Sequence, residues 1–260
     1  MFSLQAKTEL QHLFDRAIND SQQKSCSHWD EMRSQQVLKP FILVNIFNLM
    51  QIFSGTYLLV FYAVDILSVM NSGSLDNFLA AVLTACVRFT FTLAASILLA
   101  KIGRRTLALI SGIGTAASAL CLGTILYLHI YCKPDYLTAF FLLLYVAANT
   151  VGFMVLPGVM LGELYPARVR GFAGGLTFAI FNITLFGTTK MFPSVRSSIG
   201  INGTFWLFGS VSLLASVFLY LMLPETKGKS LSEIEDYFRR SNVLWINRHK
   251  VEKNNSKTET

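Results

Sequence analysis

The sequence predicts an all-α membrane protein with six transmembrane helices. Three observations carry that reading. Apolar residues fill 53% of the 260 positions and charged residues 14%, where a soluble domain carries about 25% charge; the mean hydropathy is +0.49. Six stretches reach the roughly 20 mostly apolar residues that a spanning helix needs. The charges gather in the short connections between them. A net charge of +7 would suit nucleic acid if it formed one patch. Here the basic residues flank apolar runs, where they set membrane orientation, and no nucleic-acid partner is expected.

In chain order, residues 1–36 come first. Leu4, Leu10, Leu13, Phe14 and Ile18 share a helical stripe among charged and amide residues. A cytoplasmic helical segment packed under the bundle is expected, since the stretch lacks the apolar core of a secretory signal. Residues 37–223 hold the membrane bundle, with spans at 38–64, 77–100, 106–130, 136–161, 171–192 and 203–223. Residues 224–260 form a polar tail. The ends of the second, fourth and sixth spans carry Lys101, Arg104, Arg105, Arg168, Arg170, Lys227 and Lys229, whereas the opposite loops hold Lys133, Lys190 and Arg196. The excess of Lys and Arg marks the cytoplasmic side, so both termini are expected there.

Covalent chemistry is not indicated. The four cysteines, Cys26, Cys86, Cys121 and Cys132, show no metal-ligand spacing and no CxxC pair, and no nucleophile sits beside a base. No enzyme activity, metal or cofactor is expected. Polar residues inside the spans stand out instead. Asn48, Gln51, Gly55, Tyr62 and Asp65 share one side of the first helix. Amides there suit hydroxyl groups, because they donate and accept at once; they equally suit hydrogen bonds between helices. Arg88 lies mid-span with Thr84 and Thr92 one turn to either side. A charge at that depth is costly, by roughly 2.5–3.5 kcal/mol on insertion scales, so it must face the bundle or a cavity. It is satisfied either by backbone carbonyls and an acidic partner, or by contact with a bound solute. Pro157, followed by Gly158, interrupts the fourth helix by removing a backbone donor.

Four motifs carry a family resemblance. Lys101-Ile102-Gly103-Arg104-Arg105 follows the second span, and Gly162-Glu163-Leu164-Tyr165-Pro166-Ala167-Arg168-Val169-Arg170-Gly171 follows the fourth. Pro224-Glu225-Thr226-Lys227-Gly228-Lys229 follows the sixth, and Gln51-Ile52-Phe53-Ser54-Gly55 with Phe61-Tyr62 lies in the first. In this order and spacing they resemble the sugar porters of the major facilitator superfamily, and within them the facilitated trehalose transporters. The resemblance implies a sugar or sugar-like solute carried by alternating access, in the plasma membrane. The chain then corresponds to helices seven to twelve, with an N-terminal six-helix half missing and the substrate held between the halves. An incomplete gene model is the expected reason. A nutrient sensor on the same fold and a non-functional fragment are the alternatives.

The resemblance also implies roles. Glu163 with Arg168 or Arg170, joined by Arg104, Arg105 and Glu225, would form the gate, since guanidinium–carboxylate pairs make and break as units. Pro157 and Gly158 would supply the hinge. Gln51, Tyr57, Arg88 and Asn182 fall at positions matching sugar contacts. The family's tryptophans are replaced by Gly158 in the fourth helix and by the Phe181-Asn182 region in the fifth, and Ala100 stands where the family places an acid.

Overall fold

The computed structural model describes Met32, residues 34–62, 77–128 and 135–224, and Phe238. Asp65, Glu225, the expected helix in 1–31 and most of the tail lie outside the described residues. Everything described is helix or short turn. Helix α1 (Gln35–Phe53) breaks at 54–57 and resumes as α2 (Leu58–Phe61); α3 covers Asn77–Lys101 and α4 Arg104–Leu128. Helix α5 (Asp135–Asn149) passes into a π-helical turn, Thr150–Met154, and continues as α6 (Leu156–Leu164). The last element, α7, runs Arg170–Met222.

Among the described residues, five helices are long and apolar enough to cross a membrane: Val37–Phe61, Val82–Lys101, Arg104–Leu128, Leu137–Leu164 and Arg170–Met222. The boundaries lie close to the predicted ones except in the last. At 53 residues, α7 would extend about 80 Å if straight, far beyond a bilayer's roughly 30 Å core. It is not straight. Gly200 leaves helical geometry at φ 73°, ψ 174° and joins two helices, a conformation in which a side chain would be strained. The first of these passes through Pro193 rather than ending at 192. Beyond it the Ser197 and Ser198 hydroxyls donate to the Ser194 carbonyl, at 2.8 and 2.9 Å.

Helix α4 forms the centre of the bundle, packing along α7 and α5. Small residues make that approach possible: Ser111, Gly112, Thr115, Ala116 and Ala119 are all buried. A Cβ on Gly209 would sit 2.7 Å from Leu120, so the two backbones are in close contact there. Close approach through small residues is how helices associate where lipid cancels the hydrophobic drive. By contrast, the spanning part of α3 is only 11% buried, and presents Leu83, Phe89, Leu93 and Ile97 outward. Two apolar clusters fill the interior. One gathers Phe47, Leu107, Phe153, Met160, Tyr165 and Leu219; the other gathers Leu58, Leu122, Tyr145, Phe205 and Phe208.

Candidate functional site

A polar centre forms where the first span breaks. Gly55 takes φ +85°, and a Cβ there would fall 2.5 Å from a Phe208 ring carbon and 2.8 Å from the Tyr145 hydroxyl. Only glycine fits both the conformation and the space. Breaking a helix frees carbonyls that lipid cannot satisfy, and side chains from three elements take them. Tyr145 of α5 donates to the Ser54 carbonyl at 2.5 Å, and Arg88 of α3 donates to the Thr56 carbonyl at 3.1 Å. The Ser54 and Thr56 hydroxyls both donate to the Gln51 carbonyl, at 2.7 and 3.1 Å. Arg88 is thus tied to backbone, as its cost at that depth requires. Thr92 donates in turn to the Arg88 carbonyl at 2.8 Å.

The predicted solute residues separate into two groups. Gln51, Tyr57 and Arg88 converge at the break. Tyr57 packs edge-on against Phe181, with ring centroids 5.3 Å apart. Asn182 instead lies on the exposed side of α7 and donates to the Phe178 carbonyl at 2.8 Å. Gln51 is 1% exposed. Its side chain lies within hydrogen-bonding reach of the Tyr57 phenol. Sequence reading passed over one residue of this centre, Tyr145. It also passed over Asn149, one turn further along α5, which is 2% exposed and whose amide has no partner among the described residues.

The expected break at Pro157 falls earlier. Backbone departure occurs in the π-helical turn Thr150–Met154, and Pro157 sits in the first turn of α6, where a missing N–H costs nothing. Ser111 of α4 holds the turn from both sides. Its hydroxyl donates to the Ala148 carbonyl at 2.6 Å and accepts from the Phe153 N–H at 3.1 Å. Gly152 lets Ser111 approach, since a Cβ there would clash with it. Pro157 is buried, and Gly158 is exposed with open space beside it.

At the Arg104 end the charged residues sort differently from the expected Glu163 pairing. Among the described residues Glu163 pairs with Arg104, whose Nε and Nη2 both donate to Oε1, at 3.0 and 2.7 Å. Arg170 turns back to the Tyr165 carbonyl, at 3.2 and 3.1 Å. Arg105 donates to the Tyr220 carbonyl at 2.6 Å and stacks 4.9 Å above the Tyr220 ring. Arg168 is exposed on the turn between α6 and α7. The Tyr165 phenol lies 2.8 Å from the Thr177 hydroxyl, and burial pushes it up to about 12, the Thr177 bond opposing. It therefore stays neutral.

The comparisons with known proteins bear on the family and on the helical frame. The family described as "Sugar (and other) transporter" matches residues 3–238. The facilitated trehalose transporter Tret1 of Bombyx mori is 34% identical over 201 residues, covering 75% of this chain and 40% of its own length. Tret1 of Apis mellifera ligustica is 33% identical over 212 residues, covering 80% of this chain and 42% of its own length. Among solved structures, the proton:xylose symporter XylE bound to 6-bromo-6-deoxy-D-glucose superposes with a TM-score of 0.68 at 27% identity, over 76% of this chain and 42% of that one. The chain thus spans about two fifths of the length of these relatives. The break-and-clamp in the first span, the interrupted fourth and the Arg–Glu pair at their end sit on a major-facilitator-like helical frame, and this chain, a multi-pass membrane protein, belongs to the sugar (and other) transporter family.

Proposed function

We propose that this chain supplies the second six-helix half of a carrier that moves a sugar-like solute by alternating access. The observation that carries the reading is the buried polar centre at the broken first span, inside a bundle of the sugar transporter family. Gln51 and Tyr57 would offer hydrogen bonds to solute hydroxyls, with Arg88 holding the break open beside them. Asn182, on an outer face, would meet solute only from the side where another half docks.

Dividing α7 at Gly200 supports six crossings in place of five long helices, a topology that would bring both termini to one side. The Lys and Arg excess makes that side cytoplasmic, and the plasma membrane is the expected location. Arg104 and Glu163 would latch the gate there, supported by Arg105, Arg168, Arg170 and Glu225, while the π-helical turn ahead of Pro157 and Gly158 would let the fourth span bend. The relatives' names point to trehalose and xylose as the solutes to try first.

The test has two parts. Tags at residues 1 and 260 should be reached only after permeabilisation, and a tag near Asp76 in intact cells. Proteoliposomes with the intact carrier should take up labelled trehalose or xylose saturably, and those with this chain alone should match empty vesicles. No saturable uptake of either sugar or of other polyols would sink the transport reading.

A further inference from the structure

Helix α2 is too short to hold its own place. It has four residues, Leu58–Phe61, and a single helical turn is unstable alone, because several dihedrals are fixed for each hydrogen bond gained. Packing therefore sets its position. Leu58 and Leu59 are buried, while Val60 and Phe61 are exposed. Tyr62 closes the turn, its N–H donating to the Leu58 carbonyl at 2.9 Å. The sequence puts Tyr62 with Gln51 on the polar side of the first span, but its hydroxyl goes to another helix. It donates to the Thr189 carbonyl of α7 at 3.1 Å.

That carbonyl has lost its usual donor. In an α-helix the C=O of one residue accepts from the N–H four positions on, and four positions after Thr189 stands Pro193, inside α7. Proline has no N–H to give. The Thr189 hydroxyl is engaged elsewhere, donating to the Leu185 carbonyl at 2.7 Å. Within a membrane no bulk water replaces a missing donor. Aromatic rings fix the approach of the tyrosine. The Tyr62 and Phe192 centroids lie 4.8 Å apart, and buried Phe192 stacks on Phe208 at 6.4 Å. Phe208 is the ring that crowds Gly55 at the break. Helix α2 is thus held at one end by the packed break and at the other by Tyr62.

We propose that Tyr62 and Pro193 are a matched pair: the proline opens the Thr189 carbonyl, the tyrosine closes it, and the tie pins the second section of the first span to the part of α7 before Gly200. Tyr62 is then a positioning residue for that section. Its part in a transport cycle rests on the transport reading above; the pairing itself does not.

The experiment is a double-mutant cycle in the purified intact protein, with Tyr62→Phe, Pro193→Ala and the two together. Tyr62→Phe should lower the melting temperature by about 2–4 °C, because it strands the Thr189 carbonyl. In the Pro193→Ala background the alanine N–H takes that carbonyl, and the same change should cost less than about 1 °C. An equal loss in both backgrounds overturns the pairing. Hydrogen exchange separates a local tie from general loosening. Tyr62→Phe should speed exchange of the amides at 58–62 about tenfold and leave those of α4 within about twofold; an equal rise in both regions overturns the pin. For the cycle, turnover of labelled trehalose or xylose per folded molecule should change by about threefold or more, with KM within about twofold. Unchanged turnover overturns the positioning role. A wild type that moves no sugar would sink the transport reading, and melting and exchange would still decide the pair.

Discussion

The Arg104 end and the mid-membrane polar centre use polar groups in opposite ways. At the end, Arg104 and Glu163 are 22% and 26% exposed, so water can replace either partner when they separate. Pairs that open to solvent contribute about 0–1 kcal/mol, so this one can part at little cost in stability. At the centre, Tyr145 and Gln51 are 1% exposed, and the Gln51, Ser54 and Thr56 carbonyls are met by fixed side-chain donors. Breaking any of those bonds strands a group where water is scarce. Reversibility comes from exposure at the rim, and fixed shape comes from burial at the midplane.

The largest test of that contrast is Gly55→Ala. The left-handed backbone adds about 1–2 kcal/mol of strain, and overlap with Phe208 and Tyr145 adds about 1–3. Surface expression and melting temperature should both fall severely. Normal folding would show that the break is not fixed by packing. Next comes Ser111→Ala, which removes both hydroxyl contacts to the π-helical turn. It should lower stability by about 1–2 kcal/mol, read as a melting shift, and a silent result would mean the turn holds itself.

Tyr145→Phe deletes one buried bond while keeping the ring. A loss of about 1 kcal/mol is expected, and no loss would place the Ser54 carbonyl within reach of another donor. The smallest stability effect belongs to the rim. Glu163→Gln should change melting by no more than about 1 kcal/mol and yet alter uptake, with the charge swap of Arg104→Glu and Glu163→Arg restoring part of the wild-type rate. A melting loss there as large as at Gly55 would erase the distinction between the two regions.

Much of this was legible in the sequence because membrane burial writes itself into composition. A bilayer demands long apolar runs and pushes Lys and Arg to the ends, so spans and motifs appear without any contact being known. Arg88 had to be satisfied inward for the same reason, and it is, by the Thr56 carbonyl. Partner choice was not legible. Glu163 lies within a few residues of Arg168 and Arg170, but the end of α6 at Tyr165 turns Arg170 back onto that carbonyl, while the packing of α4 brings Arg104 across 59 positions.

By itself, then, the sequence determined the helical class, the approximate spans, the family and the polar residues that burial would force to find partners, since each depends on local composition against a fixed solvent. The tertiary structure alone decided which groups meet. Gly200 divides α7 where Pro193 does not, the fourth span departs from regular helix at Thr150 rather than Pro157 because Ser111 satisfies the freed groups there, and Tyr145 comes to meet the Ser54 carbonyl across 91 positions. Those outcomes depend on distances between residues far apart in the chain, which periodicity along one helix does not encode.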